Sequence, residues 1–524
     1  MTDEVPAGGE GPGPAGGEGP SEGPVAAVEA AVEGVPAAVS LAPSSTMPSL
    51  GGELVLPLLD QGGTAPVGAD SIRAGILQAG PLALAGLVVN GVNVVVTILL
   101  ARLLTTRGYG QLAQLNGLFL IVSMPGSAVV VAVVRRVTAW HGQGQAHLVQ
   151  RWARRLHRQG TAALVLYSVV VVAVGPTVAH LLGQASAVGT IAMMVAGGVW
   201  VLLCLDRGLL QAHRNYGDLA VNLLIEGGGR TVGMLVLAGA GFGVAGATLG
   251  FLGAEVVAAV QARMVADRVW AAEAAAEDQA AGSTLPTLRQ AVGSSGRLAS
   301  AGRHWYASLR RGAGVAAPEE GRRQIVIDLL VALAAMALLA VLQNIDVIVF
   351  GRQAPHLSGS YAAISVAAKA IVFGAFALGG YLLPEAAIRW QEGGHALRQL
   401  MVTLLLLAVP ALGLVVVAVA FPHLLLTLVF SARYLGAERA FLPLTLAMVC
   451  LSVTVVLTMY LLAVGARWIS ALLAVGAAAA TVAVVEAHGH PVATARADLV
   501  VQALLALVVA VCFAMVHRRR LARR

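Results

Sequence analysis

The chain has 524 residues, 58% hydrophobic and only 12% charged, with a formal net charge of +7 and three cysteines. Globular chains carry about a quarter charged residues, so an ordinary soluble enzyme is excluded and a bilayer is the natural solvent for the remainder. A disulfide scaffold is excluded as well: Cys204, Cys450 and Cys512 lie in apolar runs, where a thiol behaves as a small hydrophobe.

Residues 1–70 hold ten acidic residues and no Lys or Arg, in a Gly-, Pro- and Ala-rich text such as GGEGPGPAGGEGPSEGP. No helical or strand period is present, and the composition predicts a disordered acidic tail. A positively charged start running straight into an apolar core is absent, so no signal peptide is expected. The rest of the chain carries 34 basic against 17 acidic residues, a net +17.

From Gly75 onward, apolar runs long enough to cross about 30 Å of hydrocarbon recur to the end. They fall at 75–100, 112–134, 161–182, 188–205, 219–240, 242–264, 325–350, 362–383, 400–421, 441–463, 468–485 and 499–516, which makes twelve. The piece from Leu424 to Phe430 is too short to span and is expected at an interface. If the N-terminus is inside, inward loops and the C-terminus hold 25 arginines, among them Arg207 and Arg214, whereas outward loops hold six. The positive-inside rule therefore places both termini in the cytoplasm. The basic loops answer to topology and anionic headgroups, and no nucleic-acid module is visible.

The expected fold is thus an all-α membrane protein of about twelve transmembrane helices, in a plasma membrane. Its domains read as an acidic tail (1–70), a first six-helix bundle (75–264), a cytoplasmic linker (265–324), a second six-helix bundle (325–516) and a basic tail (517–524). A faint echo relates the halves: Tyr109 leads to Arg136 and Trp140, and Tyr361 leads to Arg389 and Trp390. Repeats of this kind are common in transporters, with binding sites between the halves, although Tyr and Trp also favour membrane interfaces.

Ionisable groups inside hydrocarbon are costly and mark functional candidates. Glu226 and Arg230, in IEGGGR of the fifth span, are four residues apart and share a helix face, fit for a structural ion pair or a cavity-facing one. Lys369, the sole lysine, sits about 10–12 Å inside the outer end of the eighth span, in position to hold a phosphate or carboxylate or to snorkel outward. Gln343, Asn344 and Asp346 in the seventh span, and Asn90 and Asn93 in the first, can bind sugar hydroxyls or hold helices together. Glu255 in the sixth span can take up a coupling proton or pair with an arginine, and Glu226 is a second coupling candidate. His488 and His490 in HGH read as a polar turn before a metal site. No metal or cofactor is expected. The Gly-Lys-Ser/Thr phosphate loop, HExxH and GxSxG are all absent, which argues against an ATPase or hydrolase.

The stretch NIDVIVFGRQAPHLSGSYAAISVAAKAIVFGAFALGGYLLPE resembles the start of the second half of oligosaccharide flippases. So do NVVVTILLARLLTTRGYGQLAQL, RGLLQAHRNYGDLAVNLLIEGGGR and LVFSARYLGAERAFLPLTLAMVCLSVT, in the family's order over about residues 75 to 516. The chain resembles polysaccharide-synthesis members of the multidrug/oligosaccharidyl-lipid/polysaccharide exporter superfamily. The long acidic tail departs from that family's core, and twelve spans rather than fourteen argue against its peptidoglycan-precursor branch. The resemblance implies two bundles around a central, often cationic cavity and alternating-access transfer of a lipid-linked saccharide to the outer leaflet. It implies partners in the saccharide substrate, membrane lipids and a polysaccharide polymerase or glycosyltransferases. Lys369 matches the cavity-lining helix, and Arg230 and Glu226 match the fifth. Cations would neutralise a diphosphate, and Asn and Asp side chains would bind sugars. Competing readings are a cation-coupled drug or metabolite exporter using Glu226, Glu255 or Asp346, a membrane glycosyltransferase, and a non-transporting scaffold. The glycosyltransferase reading needs acidic residues in the first outer loop, and residues 101–111 have none.

Overall fold

A computed structural model describes residues 69–142, 146–213, 215–291, 319–391 and 397–521. The acidic tail lies outside the described residues up to position 68. Among the described residues all regular structure is helical, as hydrocarbon requires of a chain that must satisfy its own backbone. The first half comprises α1 (Ala69–Leu103), α2 (Thr106–Ser123), α3 (Pro125–Gly142), α4 (Ala146–Leu182), α5 (Ala187–Ala212), α6 (Tyr216–Leu237) and α7 (Gly243–Ala291). The second comprises α8 (Glu319–Gln353), α9 (Ser358–Gln391), α10 (Leu397–Ala420), α11 (Pro422–Val429), α12 (Phe441–Ala463), α13 (Ile469–Glu486) and α14 (Pro491–Leu521).

Eleven apolar stretches among these residues are long enough to cross a membrane. The longest, Tyr216–Trp270, covers 55 residues and folds back on itself between α6 and α7. Gly241 (φ 97°) and Gly243 (φ 53°) make that reversal, in a left-handed region that a side chain would strain. Counting the two limbs separately restores the twelve crossings that hydropathy predicts. The second crossing is carried by α2 and α3 in series, because Pro125 has no N–H and interrupts the ladder after Ser123. The interfacial piece near Leu424 is the eight-residue helix α11, with Leu426 and Phe430 buried at its end.

The segment read as a linker from 265 continues α7 as helix to Ala291, its alanine- and glutamate-rich text favouring helix beyond the apolar part; residues 292–318 lie outside the described residues. One expectation needs correction. Arg207, counted with the cytoplasmic loops, is instead inside α5 and completely buried.

Each half packs through closely apposed helices. Around α6 and α7, a Cβ at Gly250 would overlap the backbone of Gly233, so the two helices touch main chain to main chain, a packing that small residues permit in membranes. One apolar core runs through both halves, from Leu115 and Phe119 on α2 to Leu339 on α8, Tyr361 on α9 and Leu451 on α12. Lipid-facing sides such as Leu405 and Leu412 of α10 remain exposed, as expected where acyl chains replace water.

The halves meet at the end that the arginine distribution places outside. A Cβ at Gly359 would overlap Thr106 O, one at Gly110 would overlap Ser358 Oγ, and one at Gly351 would overlap the Gln114 amide. Gln114 Nε2 donates to Ile348 O (2.9 Å), and Gln184 Nε2 donates to Gln114 Oε1 (3.0 Å). Arg433 and Tyr434 both donate to Ala101 O, the latter at 2.5 Å. Tyr109 packs edge-on against Tyr434, and Tyr361 stacks on Phe350, so the two echo tyrosines are buried in this closure rather than placed at a headgroup interface. Replacing Gly359 by Leu is expected to wedge the closure apart. In a background lacking Cys204, Cys450 and Cys512, a cysteine at position 344 should then react faster with an impermeant maleimide from outside, and an unchanged rate would show that these contacts do not seal the cavity.

Candidate functional site

A cavity lies between the halves. Its polar lining comes from five helices, three of the first half and two of the second. The first half contributes Asn93 and Thr97 of α1, Asn116 of α2, and Arg230 and Thr231 of α6. The second contributes Asn344 of α8 and Ser365 and Lys369 of α9. Arg230 and Lys369 therefore reach one space from opposite halves. Asn90 is half-exposed on α1 and is not part of the wall, while Asn93 is buried and its carbonyl accepts from Thr97 Oγ1 at 2.8 Å. Gln343 is buried beside Asn344 but does not line the cavity.

Behind Arg230 stands an ion network held by α5, α6 and α7. The i,i+4 spacing brings Glu226 and Arg230 onto one face of α6, and they pair as the spacing predicts. The intervening glycines let neighbours approach: a Cβ at Gly227 would stand 2.7 Å from Val89, and one at Gly229 would stand 3.2 Å from Ala254. That approach of α7 carries Glu255 to Arg230, which donates to it through Nε at 2.9 Å. Phe251, one turn earlier on α7, puts its ring 4.3 Å from the Arg230 guanidinium, and the aromatic face adds attraction for the cation. Arg207 of α5 completes the chain by pairing with Glu226. Its Nε donates to Asn222 Oδ1 (2.8 Å), and Asn222 Nδ2 is anchored on Ala258 O (2.8 Å) and Gln261 Oε1 (2.6 Å) of α7. Glu226 and Glu255 are fully buried, sit behind Arg230 and do not line the cavity.

The second half has its own network. Lys369 Nζ lies 3.2 Å from Asp346 Oδ1 and 3.5 Å from Asn344 Oδ1, so it pairs inward rather than snorkelling to the surface. Ser365 Oγ lies 3.5 Å from Asp346 Oδ2. Asp346 is fully buried behind the lysine and does not line the cavity. Gln502 of α14 donates to Asp498 Oδ1 (3.2 Å) and to Leu342 O of α8 (3.1 Å), which anchors a further buried carboxylate in this half.

Sequence reasoning missed Arg207, Asn222 and Asp498. The signal for Arg207 was the apolar text on both sides of the Asp-Arg pair (VLLCLDRGLL), which marks a continuing helix. Asp498 fell one residue before the apolar run, although Pro491, a good first helical residue, starts α14 two turns earlier. Asn222 carried no signal, since an Asn in an apolar helix looks the same whether it bonds a neighbour or not. His488 (φ 50°) and Gly489 (φ 73°) form the turn between α13 and α14. Among the described residues no group of three or more His, Cys, Asp or Glu could hold a metal ion.

No protein-family model matches the sequence, and no curated protein matches it. Solved structures do match. One is the inward-facing conformation of a multidrug resistance MATE family transporter of the MOP superfamily, at TM-score 0.52 and 14% identity, covering 81% of this chain and 95% of the other. A MOP superfamily transporter from Pyrococcus furiosus, described as having a binding pocket of reverse polarity that suggests a different function, matches at TM-score 0.51 and 12% identity over 85% and 96% of the chains. The outward-facing conformation of a multidrug resistance MATE family transporter of the MOP superfamily matches at TM-score 0.50 and 14% identity over 93% and 98%. The chain is a multi-pass membrane protein with the fold of the MATE-type transporters of the MOP superfamily.

Proposed function

We propose that this protein is an alternating-access exporter that moves a lipid-linked saccharide from the cytoplasmic to the outer leaflet. One observation carries the reading: Arg230 and Lys369 enter the same cavity from opposite halves, with Asn93, Asn116 and Asn344 around them. Two cations across a low-dielectric space suit the diphosphate of such a lipid, since charge-assisted contacts to phosphate oxygens are the stronger class of hydrogen bond. The asparagine amides offer donors and acceptors for sugar hydroxyls. The apolar tail of the substrate stays in the bilayer. Cycling between states would open the outer closure formed by α2, α8 and α9, which requires the Gly359–Thr106 and Gly110–Ser358 contacts to part. In proteoliposomes, the wild type is expected to translocate a fluorescent polyprenyl-diphosphate oligosaccharide, and Lys369→Ala to slow it about tenfold or more, the loss of one charge-assisted contact. Unchanged translocation by a folded Lys369→Ala protein would sink the role of this lysine, and a wild type that moves organic cations instead would sink the substrate class.

A second reading, cation-coupled export of a drug or metabolite, is favoured by one specific feature. Asp346 and Asp498 are two buried carboxylates in a half whose cavity contributes a single lysine, and Asp498 Oδ2 has no hydrogen-bond partner among the described residues. A buried carboxylate in that position is costly unless a proton or cation joins it. Under this reading Asp498→Asn would keep downhill exchange and lose its response to an imposed proton or sodium gradient, measured as uptake with and without the gradient. A gradient response equal to that of the wild type would remove the coupling role.

A further inference from the structure

Arg207 is completely buried, contributes nothing to the cavity wall, and yet joins the network that ends there. The network runs Arg207–Glu226–Arg230–Glu255, and only its third member reaches the cavity. Two guanidinium groups face two buried carboxyl groups. Without Arg207, Arg230 alone would face both of them. The set would then be one charge more negative directly behind the wall. Carrying a second guanidinium into the membrane interior is costly.

The surroundings are built to keep Arg207 on this task. Asn222 receives its Nε and is itself fastened to Ala258 O and Gln261 on α7. The neighbouring carboxylate, Asp206, pairs elsewhere: its Oδ1 lies 3.4 Å from Arg263 Nη1 and its Oδ2 lies 3.3 Å from His157 Nδ1. We propose that Arg207 is a positioning residue that sets the charge of the cavity: by offsetting the charge of Glu226, it lets Arg230, still paired with Glu226 and Glu255, present a more positive potential to an anionic ligand that Arg207 itself never touches. This inference rests on the reading of the cavity as a phosphate site.

The test uses the purified full-length protein in nanodiscs and measures binding of geranylgeranyl diphosphate by the wild type, Arg207→Gln, Glu226→Gln, the double variant and Arg207→Lys. A unit charge at this range in a medium of intermediate dielectric changes affinity about tenfold. Arg207→Gln is expected to weaken binding by about that factor and Glu226→Gln to tighten it. The double variant should return to within about threefold of the wild type, and Arg207→Lys should stay near it. A merely structural role predicts instead that both single variants weaken binding and the double variant weakens it further, which would overturn the proposal. Should Arg207→Gln fail to fold, the sign of the Glu226→Gln effect decides alone: tightening supports the proposal and weakening overturns it. A folded wild type that does not bind the diphosphate would overturn the phosphate-site reading and this inference with it. Binding by the wild type with the wrong pattern among the variants would overturn only the role of Arg207.

Discussion

Everything around the cavity depends on Arg230 remaining charged and shared. A guanidinium in the interior of a bilayer is tolerated only when its hydrogens find acceptors, and here two carboxylates from α6 and α7 and the face of Phe251 provide them. Truncating one partner of such a buried pair costs about 3–5 kcal/mol, because the other charge is stranded. The glycines of IEGGGR, the close crossing of α6 on α7, and the burial of Arg207 and Asn222 all follow from that requirement. The helices must approach closely enough for short acidic side chains to meet a cation in the middle of the membrane.

The second half solves the same problem with different chemistry. Lys369 is a compact point charge with three donors, and it sits over Asp346 and Asn344 without a second cation behind it. The first-half carboxylates are matched by arginines, whereas the second half carries Asp346 and Asp498 against one lysine. The two walls of the cavity are therefore built from different groups, arginines and glutamates on one side and a lysine and aspartates on the other. At the outer end, glycines at 110, 351 and 359 let backbone and short side chains meet, and Arg433 and Tyr434 donate to Ala101 O across the closure.

Much of this architecture was legible in one dimension. Long apolar runs and their number lead directly to twelve crossings, because hydrocarbon thickness acts on local composition. Four of the sequence candidates, Asn93, Arg230, Asn344 and Lys369, line the cavity. Asn90 does not, although it lies only three residues from Asn93, because the hydropathy of a span carries no information about which side of it faces the partner half.

By itself the sequence determined what is local: the spans, and the pairing of Glu226 with Arg230, which a four-residue separation on one helix imposes. Only the tertiary structure decided which distant groups complete the charges. Arg207 reaches Glu226 across 19 residues, Arg230 reaches Glu255 across 25, and Lys369 reaches Asp346 across 23. Coulomb attraction depends on distance in space and on the dielectric between the charges, and neither can be read from separation along a chain. Arg207, which looked like a loop residue, is buried in the protein beside Glu226 for that reason.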